Sequence, residues 1–461
     1  MNLDSKLYSK NISAAAAWMA SLFFCLTIIL LPFRFRYILL ERPAPPIYKD
    51  FTDFLLFGSD VTLLILLAFW GLSQAFAPRP VRLGPKFLWL PLAGLIFTSL
   101  FTSFTSLDVE LSLYHTLRLA VLFLFYLYAV NEARSQELVV LAVAVQAIIQ
   151  SLIALAQFFL QRSIGLKSFG EHELDPAVGG VSIVSTGATR VLRSYGLTEH
   201  PNILGGCLAL GLIIFLAAYL YGRSNTRQGI ALVMMLSIPA LFVTFSRSAW
   251  LAFFGGAILL FGAVVHARDR NKLRAFLWLA ITCALAVAPL VWKYSNYVGE
   301  RFNVGNSFIK NPYENRSIFE RLLLDEMGIQ IFLDKPLTGI GLGASALGIH
   351  QYFPDFIGSF VPPHFVLLAV AMELGFAGLA CYLCLTFLPW IVLVRKKFKL
   401  RVRPTLLAAS VLMIALTLIG FLDIYPWLLP PGRLWQWLIW GLWARAYELE
   451  GANHGSGPTQ G

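Results

Sequence analysis

The chain contains few charged residues. Only 13% of its 461 residues are Asp, Glu, Lys or Arg, whereas a soluble domain carries about 25%. Hydrophobic residues make up 58% of the sequence, and the mean hydropathy is +0.70. This composition excludes an ordinary soluble globular protein and indicates that lipid is the solvent for most of the chain.

Several motifs are also missing. The five cysteines lie inside apolar runs, which argues against a disulfide framework. No phosphate-binding P-loop is present, so an ATPase is excluded. Residues 339–343 are rich in glycine but follow a helix-like run rather than a strand, which excludes a dinucleotide fingerprint and favours a close-packed turn. The acidic residues at 171–175 lack the spacing of metal ligands. We therefore expect no metal and no other cofactor.

The charges that are present are mostly basic, with 36 Lys and Arg against 25 Asp and Glu. They lie in short loops between apolar runs, which favours membrane lipid rather than nucleic acid as a partner. If the N-terminus is cytoplasmic, the strongest basic groups face the cytoplasm, which predicts that both termini are cytoplasmic. These groups lie at residues 79–86, 134, 223–227, 268–274 and 395–403. Arg34, Arg36, Arg42 and Lys49 do not fit this orientation.

Twelve apolar runs are candidates for membrane spans, which need roughly 20 residues each. They cover residues 12–32, 61–76, 87–103, 113–131, 138–160, 202–221, 229–245, 248–267, 273–294, 373–394, 406–424 and 433–448. The predicted fold is an all-α polytopic membrane protein of about 12 helices, with one transmembrane domain over residues 1–450 and a disordered tail over 451–461.

Two outward connections, 161–201 and 295–372, are unusually long for a compact domain, and such loops are usually functional. The larger one lies between the ninth and tenth helices. Its last part, residues 364–374, is apolar, and we predict a separate helix there at the outer interface.

Three residues at the outer ends of predicted helices are candidates for chemistry: Arg193, Arg247 and His364. A charge beside hydrocarbon costs several kcal/mol and is therefore retained mainly for function. The planar guanidinium group binds phosphate oxygens in pairs and keeps its proton, so Arg193 and Arg247 suit a pyrophosphate. For Arg247, snorkelling to phospholipid head groups is the alternative interpretation.

Further polar residues extend this candidate site. Arg118 and Arg321 would add to the basic group, unless each pairs with a nearby carboxylate. A lone histidine is often structural, but His364 follows two prolines, and a neutral imidazole there suits removal of a proton from a hydroxyl. His200 is a possible second base, or it caps the sixth helix together with Asn202.

Four blocks in this order resemble the O-antigen ligase and O-antigen polymerase superfamily, over about residues 190–380. The blocks are Arg193-x-x-Gly196-x-x-x-His200-Pro-Asn202, Ser246-Arg247-Ser248, Arg321 with the segment 334–343, and His364 followed by Glu373-Leu-Gly375-x-x-Gly378. Many members carry Asn after the histidine, where this chain has Phe365. If that Asn orients the base or the acceptor, another group must replace it in this chain.

The resemblance implies a GT-C-like glycosyltransferase with its active site on the periplasmic side of the bacterial inner membrane. It implies inverting, metal-independent transfer of a glycan from undecaprenyl pyrophosphate to a hydroxyl of lipid A–core. Arg193 and Arg247, with Arg321 and Arg118, would hold the pyrophosphate, and His364 would be the catalytic base.

Alternatives remain open. A polymerase or a protein O-oligosaccharyltransferase of the same superfamily uses the same donor. The acceptor would then be another glycan or a protein. A transporter of lipid-linked glycans would instead place charges at mid-membrane and show internal repeats, which the sequence lacks.

Overall fold

The structure is a computed structural model that describes residues 3–133, 135–186, 189–302, 312–396 and 403–452. Within these ranges the chain forms sixteen α-helices and two β-hairpins. The helices are α1 (Leu3–Leu30), α2 (Gly58–Phe76), α3 (Lys86–Ser103), α4 (Val109–Glu132), α5 (Gln136–Leu160), α6 (Pro201–Tyr221), α7 (Arg227–Val243), α8 (Arg247–Ala267), α9 (Arg270–Lys293), α10 (Ser295–Arg301), α11 (Pro312–Asp334), α12 (Ser345–Tyr352), α13 (Val366–Arg395), α14 (Pro404–Gly420), α15 (Tyr425–Leu428) and α16 (Pro430–Ala452). The hairpins pair β1 (Arg36–Leu40) with β2 (Phe54–Phe57) and β3 (Ile183–Thr186) with β4 (Thr189–Leu192).

Ten helices of the described chain, α1 to α9 and α13, are long and apolar enough to cross a membrane. Helix α14 is apolar but shorter. The prediction of a polytopic, mainly helical membrane protein is therefore confirmed, while the total of about twelve spans stays a prediction. Helix α16 continues to Ala452, into the segment predicted as a disordered tail. Residues 453–461 lie outside the described residues.

Hydrogen bonds divide the connections between helices into two groups, one at each end of the bundle. At one end, Arg34 N–H donates to Leu197 O (2.7 Å) and Leu107 N–H to Ile340 O (3.0 Å). We call this the loop end, because it carries both hairpins and both long connections. At the other end, Arg82 N–H donates to Asn131 Oδ1 (2.9 Å). The basic connections meet at this second end, which we call the basic end.

Both the start of α1 and the finish of α16 lie at the basic end. Ser9 Oγ donates to Phe76 O at the end of α2 (2.6 Å). Arg403, which precedes α14, lies 3.7 Å from Glu450 near the end of α16. The two ends of the described chain are therefore on the same side of the bundle.

Three arginines that did not fit the predicted orientation form ion pairs with carboxylates at the loop end. The pairs are Arg34 with Glu199 (2.6 Å), Arg36 with Asp50 (2.5 Å) and Arg42 with Asp108 (3.0 Å). These ion pairs tie the β1–β2 hairpin to the start of α6 and to the start of α4. Neutralised in this way, the arginines can lie opposite the basic end.

Helix α6 lies at the centre of the bundle. Nearly all of its side chains are buried, and it contacts α5, α7, α8 and α14. A helix that is apolar on every side suits such a position, and small residues allow close approach of neighbouring helices. A Cβ atom added at Gly206 would overlap the Tyr425 hydroxyl group. This packing places the N-terminus of α6 in the middle of the loop end.

A kink at Gly375 (φ 64°, ψ −164°) divides α13 into two helices. The helix predicted before Gly375 is therefore present, starting at Val366, while its place at the outer interface stays a prediction. The glycine-rich segment fills the break, since Gly341 N–H donates to Glu373 O (3.0 Å) and Phe376 N–H to Pro336 O (2.8 Å). Non-helical backbone at membrane depth is tolerated where protein satisfies its polar groups. The close-packed turn predicted at 339–343 therefore has a definite use, which is to complete a broken helix.

We predict that Gly375→Ala lowers the thermal unfolding midpoint of the purified protein. The backbone conformation at Gly375 is one that only glycine adopts readily, at a cost of about 1–3 kcal/mol for other residues. A Cβ atom there would also lie 2.5 Å from Leu337 O. The control is Gly262→Ala in α8, where an added Cβ meets nothing within 4 Å. Equal midpoints for the two variants would show that the break is not constrained.

Candidate functional site

The N-terminus of α6 begins the candidate site. His200 is the N-cap of this helix, in line with the capping role that was the alternative to a second base, and its Nδ1 accepts a hydrogen bond from Asn202 N–H (3.2 Å). The His200 Nε2 lies 2.9 Å from Ser182 Oγ. Burial lowers the pKa of His200 well below its ordinary value, and the nearby positive charge of Arg193 lowers it further. His200 is therefore neutral, with both ring nitrogens engaged.

Asn202 joins two buried charges of opposite sign. Arg193 donates to Asn202 Oδ1 (2.5 Å), and Asn202 Nδ2 donates to Asp423 Oδ2 (2.6 Å). All three side chains are buried. Arg193 Nε also donates to Thr244 O (2.7 Å). This chain of hydrogen bonds fixes the Arg193 guanidinium group to the α7–α8 turn and, through Asn202, to the segment after α14.

The α7–α8 turn holds two more arginines. Arg247 is the first residue of α8, and its Nη1 donates to Arg301 O (3.1 Å). Arg301 Nε in turn donates to Phe245 O (3.2 Å). Phe245 is buried with a positive φ of 48°, so the reversal of the chain is tight. Three guanidinium groups, those of Arg193, Arg247 and Arg301, are thus attached to one short turn.

His364 reaches the same region from the large connection. Helix α11 packs on the segment before it, since an added Cβ at Gly328 would lie 2.6 Å from Pro363 Cγ. The backbone N–H of His364 donates to the Asp325 carboxylate on that helix. The His364 Nδ1 atom is buried and makes no hydrogen bond to any residue that the structure describes.

Three effects set the protonation of His364. Burial and then the positive charge of Arg321 lower its pKa, and the negative charge of Asp423 opposes them, with the result that the pKa is about 4. The imidazole is therefore neutral near pH 7. Asp423 thus links the buried Arg193–Asn202 pair to His364 electrostatically.

Most of the predicted residues come together at the loop end. Arg193, Arg321, Arg301 and His364 all lie close enough to His200 to influence its protonation. We call the full set the arginine–histidine cluster. It consists of Arg193, Arg247, Arg301, Arg321, His200 and His364.

The structure does not bring Arg118 into this cluster. Its Nη2 donates to both oxygens of Asp60 (2.9 and 2.8 Å), and its Nη1 donates to Tyr114 Oη and Leu55 O. Arg118 therefore pairs with a carboxylate, which was the alternative to its place in the basic group. Arg118 holds α4 against α2 and the β1–β2 hairpin.

Sequence reasoning missed Arg301, Asp325 and Asp423. A signal existed for two of them. Asp423 is a carboxylate at the end of the eleventh apolar run, and Asp325 follows Arg321 by four residues on an amphipathic helix, so both share its face. The argument that a charge at a helix end is retained for function applies to acidic residues as well as to the basic ones. Arg301 gave no comparable signal.

The acidic residues 171–175 have structural partners. Glu171 accepts hydrogen bonds from Gln157 Nε2 and from the backbone N–H of Ile164 and Leu166, and Glu173 pairs with Lys167 (2.7 Å). Within the described part of the chain, no group of three or more His, Cys, Asp or Glu residues is arranged to hold a metal ion.

Comparison with known proteins bears on the same region. The family model described as O-antigen ligase (Wzy_C) matches residues 230–383. This segment belongs to the O-antigen ligase and polymerase superfamily. It contains Arg247, Arg301, Arg321 and His364, whereas Arg193 and His200 lie outside it. No curated protein matches the chain. The resemblance seen in the sequence is thus confirmed.

We predict opposite shifts in the pKa of His364 for two charge-removing substitutions. Arg321→Gln removes a positive neighbour that disfavours the imidazolium, so the pKa rises. Asp423→Asn removes a negative neighbour that favours it, so the pKa falls. The measurement is the pH titration of the His364 C2 signal by NMR of histidine-labelled protein, assigned with His364→Gln. Arg223→Gln at the basic end is the control and leaves the titration unchanged. Shifts of the same sign would contradict the electrostatic arrangement.

Proposed function

We propose that this protein is a ligase-type glycosyltransferase. It transfers a glycan from undecaprenyl pyrophosphate to a hydroxyl group of lipid A–core, on the periplasmic side of the bacterial inner membrane. The observation that carries the proposal is the meeting of four arginines and a neutral histidine at one end of an apolar helix bundle, within and beside a segment of the O-antigen ligase family.

The donor chemistry supports this assignment. A polyprenyl pyrophosphate lies in the membrane and presents its charges at the surface, where the loop end supplies guanidinium groups. Arg193 and Arg247 are held in place before any substrate binds, by Thr244 O and Arg301 O respectively. Preorganised positive charge stabilises a leaving anion by several kcal/mol in a water-poor site. Arginines here take the part that a metal ion plays in other phosphate-binding sites, so the reaction is metal-independent.

His364 supplies the base. The acceptor oxygen attacks the anomeric carbon and its proton moves to the imidazole, while the bond from that carbon to the pyrophosphate oxygen breaks. Undecaprenyl pyrophosphate leaves in the same displacement, which inverts the anomeric configuration. Phe365 cannot act as the Asn found in relatives. The Asp325 carboxylate fixes the backbone of His364 instead, and Asp423 stabilises the imidazolium that forms.

The orientation follows from the distribution of charge. The basic end carries most of the Lys and Arg residues of the short loops and therefore faces the cytoplasm. Both ends of the described chain lie there, so both termini are cytoplasmic, and the loop end is periplasmic. The arginine–histidine cluster then faces the compartment in which lipid A–core is glycosylated.

The test is transfer in vitro from a defined undecaprenyl-pyrophosphate glycan to lipid A–core, with a chelator present. We expect wild type to form product. Arg247→Ala should lose activity by about 10²–10³-fold, the size seen when a transition-state anion loses one donor. His364→Ala should lose about 10²–10⁴-fold, the contribution of a general base.

Two matched variants control for the loss of a charge or an imidazole. Arg223→Ala removes an exposed arginine at the basic end that pairs with Glu137, and His266→Ala removes an exposed histidine at the same end. Both should keep wild-type activity. Growth of longer lipid-linked chains in place of lipid A–core product would identify a polymerase. If folded protein binds the donor but forms neither product, this result would contradict a transferase and favour a transporter.

A further inference from the structure

A cleft lies at the loop end beside the arginine–histidine cluster. It lies between the β1–β2 hairpin, the start of α4 and the turn from α15 into α16. Glu199 and Ile203 form part of its wall, and these residues flank His200 and Asn202. The cleft and the cluster therefore share the N-terminus of α6.

Arg433 in the wall of this cleft is a buried cation with incomplete hydrogen bonding. Its side chain is only 2% exposed. Nε donates to Trp427 O, and Nη1 lies 3.3 Å from His115 Nδ1. Nη2 has no hydrogen-bond partner within the part of the chain that the structure describes. Leaving a buried charged group without partners is costly unless another group completes it.

The other arginines of the same wall show how unusual this is. Arg34, Arg36 and Arg118 each have a carboxylate oxygen within 3 Å. For Arg433, no carboxylate of the described residues lies within the 4 Å of an ion pair. The carboxylate of Glu373 acts on it from further away. Both oxygens of that group are engaged already, by Ser345 Oγ (2.5 Å) and Trp427 Nε1 (2.7 Å).

The rest of the lining is aromatic and ionic. Its carboxylates are already engaged, Glu199 by Arg34, Asp50 by Arg36 and Asp53 by the backbone N–H of Arg42. Among the described residues, Arg433 Nη2 therefore remains as an unused donor in this wall. The aromatic residues are Phe33, Phe51, Phe57 and Tyr114, and the carboxylates are Asp50, Asp53 and Glu199.

We propose that this cleft receives a phosphate group of the acceptor saccharide, and that Arg433 holds this group. An anionic oxygen that accepts a hydrogen bond from Nη2 gives this nitrogen a partner and supplies the missing counter-charge. The inference rests on the proposed function, because it takes the bound saccharide to be the acceptor.

The experiment is a binding measurement that needs no turnover. Wild-type protein in phosphatidylcholine nanodiscs is titrated with lipid A–core and with the same molecule after phosphatase treatment. We expect the dephosphorylated acceptor to bind about tenfold more weakly. Arg433→Gln should bind both forms with the weaker affinity, and Arg433→Lys should recover part of the difference. Equal binding of the two forms by wild type would overturn the inference without any variant having to fold.

Two further arms separate the alternatives. Arg247→Ala, in the cluster, should keep the full difference between the two acceptor forms, and loss of that difference would place the anion in the cluster instead of the cleft. The measurement is repeated in phosphatidylglycerol nanodiscs. An Arg433 effect that appears only there, regardless of acceptor phosphates, would assign the ligand to a lipid head group and overturn the inference. Phosphate-dependent binding without transfer would refute the proposed function alone.

Discussion

The hydrogen-bonded chain from Arg193 through Asn202 to Asp423 is the interaction on which the rest of the loop end depends. A cation and an anion buried together in an apolar bundle need mutual compensation, and here a neutral amide bridges them. The bridge sits in the first turn of α6, the most buried helix. It can form only if the α5–α6 connection, the α7–α8 turn and the segment after α14 all meet there. The arrangement of the helices and the position of Arg193 are thus one constraint.

The same rule explains which polar groups are structural and which are available. The Asp60 carboxylate accepts hydrogen bonds from the Arg118 guanidinium group. Arg118 therefore connects two helices and has few donors left for a ligand. Backbone carbonyls of Thr244 and Arg301 accept hydrogen bonds from Arg193 and Arg247 respectively, and these bonds fix the position of each guanidinium group. Arg433 is the extreme case, with one nitrogen lacking a partner among the described residues. Pairing with a neighbouring carboxylate therefore distinguishes an arginine that connects helices from an arginine that can bind a ligand.

Much of the fold is predictable from the sequence because lipid imposes a strong and simple pattern. Runs of about 20 apolar residues correspond to α1 through α9 and α13. What the pattern does not contain is contact between distant segments. Asn202 has the residue type of an N-cap, but its hydrogen bonds to Arg193 and Asp423 make it a bridge between them. Arg118 has the position of a site residue, but Asp60 lies opposite it on another helix. The break at Gly375 depends likewise on Pro336 across the fold.

The low pKa of His364 bears on how such a site avoids wasteful reaction with water. With a pKa of about 4, the imidazole is neutral but a weak base while the positive charge of Arg321 acts on it. In the proposed mechanism, a pyrophosphate bound to the arginines would offset their charge and add negative charge near His364, which would favour the imidazolium and raise the pKa of His364. The proposed base would therefore be stronger when the donor is bound. By the same electrostatics, departure of the pyrophosphate would lower the pKa again and so limit activation of water between turnovers.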